Sequence, residues 1–328
     1  MQTSDFDYVL PPERIAQTPA SPRDHSRLLV LGRKTGDIQH RHFYDIGEFL
    51  RPGDLLVVNE SKVFKARLRT TAGIEIFLLR PEGKAWLALA KPGRKIILAS
   101  TVTFSDRTTC HVIDKKDDGT VVLDFDKPAD EIFAWADRVG EVPTPPYVEK
   151  PPADADKTYQ TVYAKTVGSV AAPTAGFHFT PELIEKLKTK GIHFATVTLH
   201  VGLGTFRPMK TETLEEHQMH EEWIDVPDET LNAIEETKKN GGRVIAIGTT
   251  TVRALESGVK QGFTNVFITP GYQFKYIDGL VTNFHLPKST LLVLVSAFAG
   301  RENILHAYHE AIAREYRFYS FGDAMLII

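Results

Sequence analysis

A glycine followed by three threonines, in RVIAIGTTTVRALES, is the clearest chemical signal in the chain. An apolar strand runs into Gly248, and Thr249, Thr250 and Thr251 then enter a helix. Glycine lets backbone approach a ligand, the free N–H groups and dipole of a helix start favour an anion, and hydroxyls orient it. A carboxylate or phosphate fits there, although a threonine N-cap needs no ligand. Arg253, one turn on, is a candidate fork for the same anion or one half of an ion pair with Glu256.

Four further segments carry groups of the right type. HVGLGTFRPM puts Gly202, Gly204 and Thr205 after a strand, where backbone can pass close to a flat or charged ligand; a complete G-x-G-x-x-G is missing, so it is no dinucleotide fingerprint. SVAAPTAGFHFTPELI holds His178 in a small-residue loop before a capped helix, where a neutral imidazole can relay a proton or simply pack. TNFHLPKST offers Asn283 and His285 with the same two readings. EEHQMHEEW offers His217, His220 and Glu222, but the spacing is not H-E-x-x-H and no distant fourth ligand stands out, so no metal site is expected. Basic residues cluster as Lys62, Lys65, Arg67 and Arg69 in KVFKARLR, and again as Lys91, Arg94 and Lys95. They are either a local phosphate track or a solvated face.

The elements that must hold these groups follow from periodicity and punctuation. Arg27 to Leu31 and Asp54 to Val58 are short apolar runs that predict buried strands. From Ile74 the texture becomes β-rich, with strands expected at Ile74–Leu79, Lys84–Ala90, Lys95–Leu98, Thr101–Phe104, Thr109–Asp114 and Thr120–Phe125, separated by Gly, Pro and Asp turns. A helix over Ala129–Arg138 and a proline-rich connector, Pro143 to Pro152, lead back out. Helices are expected over 181–190, 228–240, 250–257, 290–298 and 302–316, and strands at 193–201 and 244–247. The expected fold is α/β, with a main domain built from both chain ends (1–67 and 149–328) and an inserted antiparallel β-barrel domain over 68–148.

Composition bounds the function. The 328 residues exceed one ordinary domain, 42% are hydrophobic, and the formal charge is −3, which excludes nucleic-acid binding by bulk electrostatics. The single cysteine, Cys110, cannot form an internal disulfide and reads as packing. The start, MQTSDFDYVLPPERIAQ, lacks the basic and apolar regions of a signal peptide, and the longest apolar run, Leu291–Ala299, is far short of a bilayer span, so a cytoplasmic location is expected.

The chain resembles the S-adenosylmethionine:tRNA ribosyltransferase-isomerases of the queuosine pathway. The resemblance covers nearly its whole length and is carried by FDYVLPPERIAQ, RDHSRLLVL, GDLLVVNESKV, TVYAKTVGSVAAPTAGFHFT, LHVGLGTFRPM, RVIAIGTTTVRALES, TNFHLPKSTLLVLVSAFAG and YRFYSFGDAMLI; the β segment contributes least. It implies transfer and isomerisation of the ribosyl part of S-adenosylmethionine onto 7-aminomethyl-7-deazaguanine at the tRNA wobble position, giving epoxyqueuosine-tRNA, adenine and methionine. S-adenosylmethionine is then a consumed substrate, and no cofactor is expected. The sulfonium acidifies ribose C5′, a base removes a proton there and adenine leaves; the amine attacks the sugar and epoxide closure expels methionine. Such a reaction assigns proton transfer to His178 or His200, carboxylate anchoring to Thr249, Thr250 and Arg253, nucleoside contact to Gly202, Gly204, Thr205, Asn283 and His285, and RNA contact to Lys62, Lys65, Arg67 and Arg69. A metal-dependent hydrolase built on His217, His220 and Glu222, and a non-enzymatic RNA-binding protein, are the alternatives.

Overall fold

A computed structural model describes residues 1–328 except 146, 150, 151, 153 and 203–207. In chain order the first strands are β1 (Arg27–Leu31), β2 (Ile38–His42), β3 (Leu55–Asn59) and β4 (Ser61–Val63). The chain then makes β5 (Arg67–Arg69), β6 (Glu75–Glu82), β7 (Ala85–Lys91), β8 (Thr101–Thr103), β9 (Thr109–Lys115), β10 (Thr120–Asp124) and helix α1 (Ala129–Val139). After the one-turn helix α2 (Ala155–Thr158) come β11 (Thr166–Ser169), α3 (Pro181–Thr189), β12 (His193–Leu199), β13 (Glu222–Asp225), α4 (Asp228–Lys239), β14 (Val244–Ile247) and α5 (Thr249–Glu256). The last elements are β15 (Gln261–Thr264), β16 (Gly279–Asn283), α6 (Thr290–Ala299), α7 (Arg301–Ala313) and β17 (Ala324–Ile327).

A nine-stranded sheet runs β15-β13-β12-β3-β14-β16-β17-β1-β2. Its centre, β12, β3, β14 and β16, is parallel, and its edges are antiparallel. Alternate residues of β3 explain why the run is apolar throughout: Leu55 and Val57 enter a core shared with α4 to α7, while Leu56 and Val58 enter the core under α3. Covered on both faces, such a strand has no polar side to present. Asp54, at the mouth of β3, is buried and paired with Arg243 at 2.6 Å. Burial opposes its charge, but hydrogen bonds from the Arg243 side chain and from backbone N–H groups of Arg51 and Arg243 prevail and hold its carboxyl below the usual range.

The second sheet is antiparallel and curled, in the order β5-β6-β7-β10-β9-β8. At one end its outer strands meet, with Thr71 N–H donating to the Thr103 carbonyl. The sheet wraps its own core, which includes Trp86, Val112 and Leu123, and α1 closes it with Ile132, Trp135 and Ala136. Cys110 is buried there, and burial pushes its thiol up to about 12. The six strands are not the six expected. Lys95–Leu98 forms a turn and then irregular chain, because only Ile96 reaches the core while Ile97 and Leu98 lie exposed; β5, inside the basic segment, supplies the sixth strand. Strands β4 and β11, where the chain leaves for this sheet and returns from it, pair in parallel with each other. The chain is thus mixed α/β, with a large sheet and a separate curled antiparallel one.

Candidate functional site

Two cavities meet at Val201, just beyond β12. The smaller, about 60 Å³, lies where β14 and β16 end and α5 and α6 begin. It is narrow beside the larger one and suits a small terminal group.

Gly248 makes the turn from β14 into α5 with φ +91°, and it donates its N–H to the Val281 carbonyl at 2.7 Å. A Cβ there would make only ordinary contacts, with Ala175 Cβ at 3.5 Å and Thr250 Oγ1 at 3.6 Å, so backbone conformation is what calls for glycine. Thr249 and Thr250 line the pocket. Thr250 Oγ1 is held by Asn59 Nδ2 at 3.3 Å, and Asn59 is itself fixed by the Leu199 and Ser61 backbone. Thr251 turns away, donating to the Ile247 carbonyl. Ser289, the N-cap of α6, brings a second helix start to the same pocket. Arg253 does not line it. Its guanidinium forms a buried ion pair with Glu222 and not with Glu256, whose carboxylate accepts N–H groups from Lys275, Tyr276 and Ile277. In this arrangement Arg253 anchors β13 to α5 and lies away from the small pocket.

Asn283 and His285 line the pocket from the end of β16. His285 Nε2 lies 2.7 Å from Thr282 Oγ1, and its backbone is gripped by Tyr308 and Tyr8. Asn283 Oδ1 accepts from Thr174 Oγ1 at 3.2 Å, and its amide donates to the Tyr319 carbonyl and to His178 Nε2, both at 3.1 Å. With Nε2 accepting, the proton sits on Nδ1, which faces Ser26 Oγ at 2.7 Å. His178 is thus buried behind Asn283, against Phe43, with both nitrogens used. Burial, aided by Arg23 and Arg317, pushes its pKa down to about 3, so it is neutral at pH 7.

The larger cavity, about 720 Å³, lies between the two sheets. His200 lines it, stacked on Trp223 with ring centroids 5.1 Å apart. Its Nδ1 is 3.2 Å from Ser61 Oγ, while Nε2 has no hydrogen-bond partner among the described residues. Burial pushes this histidine down to about 4. Gly168 is required beside it: a Cβ there would meet Nε2 at 2.4 Å. Gly202 also lines this cavity and donates its N–H to Glu222 at 2.9 Å. Gly204 and Thr205 lie outside the described residues.

The basic segment straddles the junction but is not an open track. Lys65 pairs with Asp156 at 2.6 Å, Arg67 with Glu75 at 3.7 Å and Arg69 with Glu141 at 3.6 Å, while Lys62 is exposed with no acidic partner among the described residues. Of these only Arg69–Glu141 is exposed on both sides, and an exposed pair is worth at most about 1 kcal/mol. His217 and His220 sit in irregular chain, and Glu222 is committed to Arg253; among the described residues no group of three His, Cys, Asp or Glu is placed to hold a metal. No helix among them is long and apolar enough to cross a membrane.

Sequence reasoning passed over Trp223, Gly168, Ser61 and Asn59. The last two follow directly on the apolar run of β3, and a polar pair at a buried strand's end was a usable signal; Trp223 was hidden by its acidic and histidine neighbours.

The signature of the family described as "Queuosine biosynthesis protein" matches residues 3–327. The chain belongs to this family. It is 52% identical over 341 aligned residues to the S-adenosylmethionine:tRNA ribosyltransferase-isomerase of Thermotoga maritima, covering all of both chains. It is 51% identical to the protein of the same name from a Sulfurihydrogenibium species, again over the full length of both. A crystal structure of S-adenosylmethionine tRNA ribosyltransferase from Thermotoga maritima matches 99% of this chain and 100% of its own, at 43% identity and a TM-score of 0.58.

Proposed function

We propose that the protein is an S-adenosylmethionine:tRNA ribosyltransferase-isomerase, transferring and isomerising the ribosyl moiety of S-adenosylmethionine onto 7-aminomethyl-7-deazaguanine at the tRNA wobble position. The full-length relationship to proteins of that name, 51–52% identical from end to end, carries the reading. Epoxyqueuosine-tRNA, adenine and methionine are the products. S-adenosylmethionine is consumed, so the reaction calls for no resident cofactor, and a tRNA substrate sets the work in the cytoplasm. Residues 68–148 act as a module inserted into a catalytic domain made of 1–67 and 149–328.

The small pocket suits the methionine carboxylate, with Thr249, Thr250 and the first N–H groups of α5 as donors. The ribose then lies at Val201, where this pocket meets the larger cavity. Of the two histidines, His200 is the proton acceptor, because its Nε2 at the cavity wall has no partner among the described residues; His178 positions Asn283, because both its nitrogens are already used. His285, Asn283 and Gly202, with Gly204 and Thr205, contact the nucleoside, and Lys62, Lys65, Arg67 and Arg69 contact the RNA backbone.

Adenine release from S-adenosylmethionine tests the reaction. Purified protein is combined with tRNA carrying the modified wobble base, and unmodified tRNA is the control. Adenine formed only with the modified tRNA, with the matching mass gain on the RNA, is the expected result; no release from folded protein overturns it.

A further inference from the structure

We propose that the cavity between the two sheets is the chamber for the acceptor nucleobase, which stacks on Trp223 beside His200 while Arg80 takes an adjoining backbone phosphate. This deepens the reaction proposed above and rests on it. Three independent features of the cavity point to an RNA base.

The first is size and lining. At about 720 Å³ the cavity falls inside the roughly 300–1,000 Å³ typical of ligand sites, and Trp223, Phe133 and Phe263 give it aromatic walls. Unstacked bases are held on such faces, since every base has a π-surface.

The second is backbone irregularity aimed at the same space. The β6–β7 register shifts between Leu78 and Arg80, and Leu79, Arg80 and Pro81 in succession all line the cavity. A regular strand would turn every second residue away. The β11–β4 register shifts between Val167 and Ser169, and Val167 and Gly168 line the cavity from that separate two-stranded sheet. Bulges of this kind re-aim side chains beside functional sites.

The third is charge. Arg80 lies over the Phe263 ring at 4.6 Å and has no carboxylate partner among the described residues, in contrast to Arg67 and Arg69 nearby in the same sheet. Phe263 is 44% exposed, so this cation sits near solvent, where a phosphodiester can reach it. A cationic sulfonium donor gains nothing from Arg80, whereas a polynucleotide does. Asp118 and Glu221 at the same wall suit the aminomethyl group of the acceptor. The donor's tail in the small pocket and the base in the large one would then face each other across Val201, as transfer between them demands.

Tryptophan fluorescence of the full-length protein reads the chamber directly. Of the three tryptophans, Trp86 and Trp135 are buried in the core of the curled sheet, and only Trp223 lines the cavity. An anticodon stem-loop RNA carrying 7-aminomethyl-7-deazaguanine should quench the emission more than its unmodified counterpart, and Trp223→Phe should abolish the quench. In turnover, Trp223→Ala and Arg80→Ala should each raise KM for the modified tRNA by roughly ten-fold, with unchanged affinity for S-adenosylmethionine showing that the fold is intact. Arg80→Ala should also flatten the salt dependence of RNA binding by about one ion. Quenching by S-adenosylmethionine alone would give the chamber to the donor's adenine and overturn the assignment. So would wild-type-like KM values in both variants while the wild-type enzyme releases adenine. A wild-type protein that releases no adenine removes the reaction itself, and the acceptor chamber with it.

Discussion

The small pocket and the large cavity share a wall but are built on opposite plans. The small one is built around strand ends and helix starts of the main sheet, with backbone groups and short hydroxyls that cannot move far, and is closed by the 172–175 segment, Tyr147, Tyr319 and Ser320. The large one is spanned by side chains of two separate sheets and lined by rings and charged groups. Their histidines follow the same division. His178, behind the small pocket, spends both nitrogens on Ser26 and Asn283; His200, in the wall of the large one, has Nε2 without a partner among the described residues. Anchoring a small ion needs rigidity that a single sheet supplies, whereas admitting a base from a folded RNA needs a gap between units.

The sharpest way to break this comparison is to exchange the histidines' fates. His200→Ala should lower the rate of adenine release at saturating substrates by about 10²- to 10⁴-fold, the usual worth of a positioned proton acceptor, with S-adenosylmethionine still bound by calorimetry. A loss of only a few-fold would take His200 out of the proton transfer. Next in size, the pair Thr249→Ala and Thr250→Ala should raise KM for S-adenosylmethionine by about ten- to a hundred-fold, as expected for hydrogen bonds to a charged group, with kcat changed far less. An effect confined to the tRNA KM would mean that the small pocket serves the RNA. His178→Gln should cost about ten-fold in kcat and resemble Asn283→Ala, and the double variant should be no worse than either alone, because the two belong to one network. Additive losses would show separate roles.

The smallest effect concerns pH and stability. Burial depresses His178 to about 3, His200 to about 4 and His285 to about 3. In the unfolded chain each protonates near 6.5, so unfolding takes up protons between about pH 6.5 and 4. Their contribution is therefore complete above pH 6.5 and lost as pH falls through that window. Replacing His285 by Gln should reduce the slope of unfolding free energy against pH near pH 5 by about 1.4 kcal/mol per pH unit, measured by denaturant titration. An unchanged slope would mean that His285 protonates in the native state. None of the three should produce a titration in the folded enzyme's rate between pH 6 and 8.

Much of the scaffold was readable in local sequence. The unbroken apolar run of β3 reflects burial on two faces, and Thr180-Pro181-Glu182 marks the start of α3, where the Thr180 side chain accepts from Leu183 N–H as a cap should. The elements that escaped notice had the opposite character. In β2, Ile38–His42, only the partner β1 makes a strand of a mostly polar segment, and β5 lies within a run of basic residues whose strand pairing to β6 has no local signature.

By itself, the sequence determined where the apolar strands of the main sheet lie, where its helices start, that a glycine–threonine turn would open on a pocket, and to which family the chain belongs. These follow from near neighbours, through periodicity, capping and the conformational demands of Gly248, or from motifs long enough to be specific. Tertiary structure alone decided which polar groups are free. Arg253 looked available until β13 brought Glu222, 31 positions away, against it; His178 and His200 looked equivalent until Asn283, 105 positions from the first, and Ser61, 139 from the second, claimed different shares of their nitrogens. A side chain's chemistry belongs to its type, but its availability depends on partners that only the packed sheets bring within hydrogen-bonding distance.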